Sequence, residues 1–311
     1  MRYFLSVAIC VIVSLLLLAI AARYLGGAWV FATVHSLQFH LAILCALATL
    51  LALLLDRSLY GGLLLAASLA LGLHALWMTG EMVQRPFDES AGLPPLRLMS
   101  FNILWDNYEN AGAIRDMILA SGADVVNVLE AEPLLGELAA LSRVYPYRIG
   151  CGEMTTTCDL MVLSKTPLRR PSVHSLSSLF EQRMILSDIS WHGQTIHMAA
   201  IHTTKPYFDD FQTFELTNAA RLLQRIEGPL LVAGDFNASS IAPNVRTFLR
   251  WNGLRTAPFE PPTWPSWAGW FGVPIDHVYV REPLRIRSLE RLPSAMGSNH
   301  YGLMAEIVLA R

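Results

Sequence analysis

The first 82 residues constrain this chain most, because three long stretches of them carry no charge. No Asp, Glu, Lys or Arg lies between Arg2 and Arg23, between Arg23 and Asp56, or between Arg57 and Glu81. Residues 3–22, 39–55 and 59–79 each reach or approach the roughly 20 apolar residues a helix needs to cross a hydrocarbon layer. A helix buried in a soluble core would show a polar face, and these segments have none. The 311-residue chain is 53% hydrophobic and only 15% charged, and these stretches account for the imbalance. The pattern predicts three transmembrane helices over residues 1–82. Ala19 to Ala22 also resembles a signal-peptide cleavage site, but two further spans follow, which favours an anchor. Either way the N-terminus starts inside, and the chain beyond about residue 82 lies outside the cytoplasm. Loop charge barely decides: Arg2 and Arg57 fall inside, Arg23 and Arg85 outside, and the N-terminal amine tips the balance.

Residues 83–96 hold Pro86, Gly92, Pro94 and Pro95 and read as a linker. Residues 97–311 form a soluble domain of about 215 residues. Only Arg2, Arg23, Arg57 and Arg85 among the 23 basic residues lie earlier, and only Asp56, Glu81, Asp88 and Glu89 among the 25 acidic ones. The domain's formal charge is therefore −2, without the basic footprint of a protein held by a phosphate backbone. Cys10 and Cys45 sit in the membrane segments as small apolar fillers. Cys151 and Cys158 bracket a hairpin-like stretch and are either bridged, in an oxidising compartment, or two unrelated thiols. Zinc-type Cys/His spacing is absent.

Within the domain, apolar runs of strand length stop at polar residues. LRLMSFNI ends by Asn102, DVVNVLE ends at Glu130, and the strand before Ile201 runs into His202. PLLVAGDFNASS (229–240) leaves a buried strand through Gly234, with Asp235 and Asn237 on the same side of an extended chain. IDHVYV carries Asp276, and Ser298-Asn299-His300 precedes the last strand. Strands mixed with helices over residues 110–121, 133–142, 211–226 and 244–251 suggest a β-sandwich with helices outside. Residues 164–171 read as a turn.

Carboxylates gathered at strand ends repel unless a cation sits among them. Oxygen donors without cysteine point to Mg²⁺, with Mn²⁺ or Ca²⁺ as alternatives, rather than zinc. Histidines beside carboxylates supply an acid and a base, and asparagines can bind a phosphoryl oxygen without adding repulsion. The set fits metal-assisted hydrolysis of a phosphoester. Each residue also has an ordinary role open to it: Asp235 and Asn237 as turn caps, His202 as a half-buried histidine, Asp276 as a strand-end cap. His277 alternates to the opposite face from Asp276 and reads as structural, and His174, His192 and His197 receive no chemistry.

SFNILWDN (100–107), ADVVNVLEAE (123–132), DLMVLSKTPL (159–168), IHTT (201–204), GDFN (234–237), IDHVYV (275–280) and SNHYGLM (298–304) occur in one order over nearly all of residues 97–311. In these motifs the domain resembles the endonuclease/exonuclease/phosphatase superfamily, which includes pancreatic-type deoxyribonucleases, AP endonucleases, inositol phosphatases and neutral sphingomyelinases. The N-terminal helices resemble a membrane-anchored bacterial branch of it. The resemblance implies a four-layer αββα sandwich of the α/β (α+β) class and a divalent metal, usually Mg²⁺. It implies that Glu130 binds the metal with Asn102 beside it, and that Asp235 and Asn237 orient the attacking water and hold phosphate. It further implies that His300 is catalytic with Asp276 as orienting partner, and that His202 is an acid or phosphate-polarising donor. The final motif departs from the family's usual Ser-Asp-His at Asn299, which removes one carboxylate. Leu129 stands where Gln is frequent.

Residues 263–271 (TWPSWAGWF) form either a packed loop over the sandwich end or an apolar lip that touches lipid or an aromatic substrate group. The expected protein is a metal-dependent phosphoester hydrolase acting on nucleic acid, phospholipid or a small phosphoester. Its expected place is a bacterial inner membrane, with the domain facing the periplasm or cell exterior. The alternative, motivated by Asn299, is a catalytically weakened receptor or scaffold that keeps the fold.

Overall fold

The computed structural model describes residues 1–26, 28–88 and 93–310. The chain opens with α1 (Arg2–Ala21), a short α2 (Ala32–Ser36), α3 (Gln38–Leu55) and α4 (Leu59–Met82). Helices α1, α3 and α4 are long and apolar enough to cross a membrane. They pack through small and aliphatic residues such as Val13, Cys45, Ala52 and Leu64, and leave Leu15, Leu47, Leu63 and Leu73 outward. Apolar surface on every outward face suits lipid better than water.

Two sheets follow. The first comprises β1 (Leu96–Asn102), β2 (Val125–Leu129), β3 (Tyr147–Ile149), β4 (Leu160–Ser164), β10 (Leu284–Arg291) and β11 (Leu303–Leu309). Its strand order is β10-β11-β1-β2-β4-β3. The second comprises β5 (Arg169–His174), β6 (Met184–Trp191), β7 (Gln194–His202), β8 (Leu230–Asp235) and β9 (Asp276–Arg281), adjacent in sequence order. Facing residues of the two sheets, among them Leu98, Leu129, Val162, Ala200, Leu231 and Val278, make the central core. Helices α5 (Ala111–Ala120) and α6 (Leu138–Leu141) cover the outer face of the first sheet through Ile114, Ile118 and Leu141. Helices α7 (Phe211–Leu223) and α8 (Pro243–Asn252) cover the second through Leu216, Leu223, Phe248 and Leu249. The layers are thus helix, sheet, sheet, helix, the four-layer sandwich expected.

Three strands depart from the sequence reading, the first being β3, a three-residue edge strand where none was expected. The turn expected over 164–171 runs into β5, and β10 lies where no strand was expected. These last two are edge strands rich in arginine, which keeps an edge from pairing with other chains and masks the apolar signal. Helix α6 is short because residues Glu132–Glu137 before it wind as a 3₁₀ turn.

The segment expected to be a linker is bonded to the domain from its start. Thr256 N–H donates to Met82 O, and Gln84 N–H donates to Thr256 O. The Gln84 side chain donates to Ile286 O at 2.6 Å and accepts from Ile286 N–H at 2.8 Å. Glu81 pairs with Arg246 and Arg250 on α8. Residues 89–92 of that segment lie outside the described residues.

Candidate active site

Strand register assembles the centre of the site. In the parallel pair β7–β8, His202 lies opposite Asp235, and in the antiparallel pair β8–β9, Asp235 lies opposite Asp276. Residues on one rung project to the same side of a sheet, so three polar side chains leave it together. All three are buried. The first sheet contributes from across the sandwich: Asn102 ends β1 beside Leu129 in parallel register, and Glu130 follows β2 directly. Gly234 explains the tightness of this end. Its φ is +149°, and a Cβ there would lie 1.8 Å from Ile201 O. Only glycine lets β8 approach β7 so closely.

Asn102 joins the two sheets. Its Nδ2 donates to Glu130 Oε1 and to Asp235 Oδ2, both at 3.1 Å, while its Oδ1 accepts from Leu104 N–H at 3.1 Å. Glu130 adopts a left-handed φ of +55°, unusual for a glutamate, and its Oε2 accepts from Trp105 N–H at 2.8 Å. A constrained conformation of this kind concentrates at functional positions. Asn237 is also left-handed, a conformation asparagine tolerates. Its Nδ2 donates to Thr203 O at 2.9 Å, and its N–H donates to Asp235 Oδ1 at 2.7 Å. The turn-capping contacts expected of these residues are therefore present while Asp235 also meets the rest of the cluster.

Two imidazole–carboxylate pairs flank Asp235. His300 Nδ1 lies 2.8 Å from Asp276 Oδ2, and His202 Nδ1 lies 2.8 Å from Asp159 Oδ2. Their Nε2 atoms face the same Asp235 oxygen, at 3.8 Å from His300 and 3.9 Å from His202. Burial opposes the charged form of His300, but Asp276 and then Asp235 outweigh it and bring its pKa up to about 9. Burial likewise opposes charge on His202, and Asp159 overcomes it and raises the pKa. Burial would raise the Asp159 carboxyl, yet His202 and Arg183 hold it down at about 2. Asp235 is raised, by burial first and by Asp276 second. The site thus places two imidazoles shifted toward their charged form on either side of a carboxylate shifted toward its neutral form. Ser298 fixes the last loop: its Oγ donates to Asn102 O at 2.7 Å and accepts from His300 N–H at 3.0 Å.

Of the residues singled out in the sequence, Asn102, Glu130, His202, Asp235, Asn237, Asp276 and His300 all meet at this end of the sandwich. His277 does point the other way. Its Nδ1 pairs with Glu260 at 2.7 Å, and its Nε2 meets Ala238 O at 2.9 Å, pinning the turn after Asn237 from behind. Sequence reasoning missed Asp159 and Arg183, joined by a 2.8 Å ion pair, although Asp159 opens one of the recognisable motifs. It also missed Lys205, one residue past IHTT, which lines the site. Cys151 and Cys158 are disulfide-bonded and line a groove with Glu130 and Asp159.

A divalent cation would find oxygen donors here. Glu130 and Asp235 share one neutral amide donor, and Asp276 Oδ1 is buried without a hydrogen-bond partner. Among the described residues none of the three forms an ion pair with Lys or Arg. Ligand atoms of Asp235, Asp276 and His300 also lie within 4.8 Å of one another. His300 and Asp276 are already bonded to each other, however, so the oxygen-only side at Glu130 suits a hard cation better.

The sequence matches the model of the Endonuclease/Exonuclease/phosphatase family over residues 99–300, and the chain belongs to that family. No curated protein matches it. Among solved structures, the human Nocturnin catalytic domain with bound sulfate is similar at 19% identity and a TM-score of 0.56, covering 73% of this chain and 98% of that one. D. rerio TDP2 complexed with a single-strand DNA product is similar at 14% identity and a TM-score of 0.56, covering 68% and 98%. A Staphylococcus aureus beta toxin variant with bound magnesium ions is similar at 16% identity and a TM-score of 0.53, covering 68% and 99%. At these identities the likeness is one of fold.

Proposed function

We propose that this protein is a membrane-anchored, divalent-metal-dependent phosphoester hydrolase. Residues 1–82 are its anchor, residues 83–96 its connection, and residues 97–311 its catalytic domain. The observation that carries the reading is the convergence of two imidazole–carboxylate pairs on Asp235, beside Glu130. Family membership and the magnesium bound in the beta toxin neighbour support it.

Glu130 would hold Mg²⁺ or Mn²⁺, with Asn102 bridging it to Asp235. The metal, when bound, would neutralise phosphoryl charge and offset repulsion between the carboxylates. Asp235 and Asn237 orient a water, and Asp235 accepts its proton, a task that its raised pKa suits. The water oxygen bonds to phosphorus and the bond from phosphorus to the leaving oxygen breaks. The Nε2–H groups of His300 and His202 supply a hydrogen bond to the phosphoryl oxygens and a proton to the leaving oxygen. Asp276 and Asp159 act through the imidazoles, fixing tautomer and charge.

Purified full-length protein in detergent should hydrolyse bis(p-nitrophenyl) phosphate in Mg²⁺ or Mn²⁺ and stop on chelation. Asp235→Asn should lower kcat by about 10³-fold, within the range for loss of a general base combined with lost orientation. Turnover unchanged in Asp235→Asn, or insensitive to metal removal, would sink the reading.

A further inference from the structure

The catalytic cleft is not built by the domain alone. A cavity of about 200 Å³ has Glu130, Asp235, Asn237 and His300 on one side, and Thr33, Ser36 and Leu37 on the other. These last residues belong to the segment that joins α1 to α3, the first two helices able to cross a membrane. The contact is fixed by hydrogen bonds. Ser239 Oγ donates to Ser36 O at 3.0 Å and Ser239 N–H donates to Ser36 Oγ at 3.3 Å. Arg23 Nη2 donates to Ile241 O at 2.7 Å. Ser239 lies two residues past Asn237, so the helical bundle is bonded to the loop that carries the site.

A segment joining two membrane-crossing helices by a short connection lies at the membrane surface. The cleft that it walls must open at that level. The outer rim agrees. Trp267 and Phe271 are 86% and 87% exposed, Trp270 and Phe208 are also exposed, and Trp105 and Tyr207 stand partly bare at the cavity itself. Exposed Trp and Tyr beside an apolar segment are at home where hydrocarbon meets headgroups. Lys205 at the cavity edge supplies a cation for phosphate, and it makes no ion pair among the described residues. The neighbouring cation in the adjoining groove, Arg183, is already paired with Asp159, and the domain's formal charge of −2 is not that of a protein held by a phosphate backbone.

We infer that the substrate is a phospholipid of the bilayer in which the protein sits, entering sideways between the α1–α3 connection and the aromatic rim. Its phosphate reaches Asp235 while its acyl chains stay in the membrane. The chemistry adds one water across one P–O ester bond: hydroxyl goes to phosphorus, and the proton goes to the departing alcohol. This inference rests on the hydrolase reading above and adds the substrate class to it.

The test uses full-length protein reconstituted in vesicles of equal parts phosphatidylethanolamine and phosphatidylglycerol with Mg²⁺, followed by ³¹P NMR and mass spectrometry of the lipid products. Bis(p-nitrophenyl) phosphate and a single-stranded oligonucleotide serve as soluble competitors. Vesicle phospholipid should be cleaved, and Trp267→Ser with Phe271→Ser, neither of which lines the cavity, should lower that rate about tenfold. The same pair should change bis(p-nitrophenyl) phosphate turnover less than about twofold, since the rim contacts membrane and not the reacting phosphate. Thr33→Trp, which fills the wall, should depress lipid turnover further. If the soluble ester or the oligonucleotide is cleaved and vesicle lipid is not, the lipid inference is overturned and the hydrolase reading stands. If no phosphoester is cleaved, the hydrolase reading falls and this inference with it.

Discussion

At the residue scale, the site depends on how neighbours set proton affinities. His300 is held near pKa 9 by Asp276 and Asp235 against the opposing effect of burial. Its imidazolium is therefore present through the neutral range, and the activity that needs it should fall as pH rises through about 9. Asp235 has a raised pKa, so its base form is lost on the acid side, above the ordinary value of 3.8. The rate should form a plateau between these limbs. Asp276→Asn removes the strongest cause of the upward shift at His300. The alkaline limb should move to lower pH and kcat should fall about 10²-fold, measurable from initial rates across the pH range. The same pairing has a stability consequence. Because the folded pKa of His300 lies above its ordinary 6.5, the stabilisation is full below 6.5 and is lost as pH rises through about 9.

Asn299 stands where the resemblance read from the sequence implies an aspartate, and it lines the cavity beside His300. Restoring a carboxylate adds a charged oxygen near Glu130 and Asp235. Asn299→Asp should tighten Mg²⁺ binding about tenfold, since affinity for hard cations rises with ligand charge. It should also lower the melting temperature in chelator and regain it in Mg²⁺. Calorimetric titration and thermal melts in both conditions read the two effects. Unchanged Mg²⁺ affinity would show that position 299 does not face the metal.

Elements decide which of these residues could be read from the sequence. Asn102, Glu130 and Asp235 stand where an apolar run stops, and a strand end is a local signal. The rung joining His202, Asp235 and Asp276 was not local, because register across β7, β8 and β9 is set by the whole sheet. Asp159 and Arg183 escaped notice for the same reason: they meet across 24 residues, and their value lies in what they do to His202. The edge strands β5 and β10 escaped because arginines interrupt the apolar alternation. The disulfide works at this scale too. Cys151 and Cys158 close a loop with a sequence separation of 7, immediately before Asp159. By loop-closure entropy the bridge contributes about 2.5 kcal/mol. Replacing both cysteines by serine should lower the melting temperature by several degrees. Catalysis should also fall, because Asp159 then holds His202 less firmly. A double variant with wild-type melting and wild-type kcat would remove any role for the bridge.

At the scale of the whole molecule, the contacts between bundle and domain bear on the orientation of the proposed membrane anchor. Charge counting from the sequence nearly tied, with Arg2 and Arg57 on one side and Arg23 and Arg85 on the other. Arg23 is not a free loop charge, however. Its guanidinium bonds Gln38 and Ile241 O at the junction with the domain. Arg23, Ser36 and the end of α4 all meet the domain, so the start of α1 and the turn at Asp56–Ser58 lie at the opposite end of the bundle. With Arg23 engaged in the fold, the positive side chains at that opposite end are Arg2 and Arg57, and by the positive-inside bias the expected side for them is the cytoplasm. The disulfide in the domain fits an oxidising compartment on the other side. A reporter active only outside the cytoplasm should therefore work when fused after residue 310 and fail when inserted between Asp56 and Ser58. Activity in the opposite pattern would reverse the topology. It would also place the cleft on the cytoplasmic leaflet, leaving the chemistry of the site intact while changing which lipids could reach it.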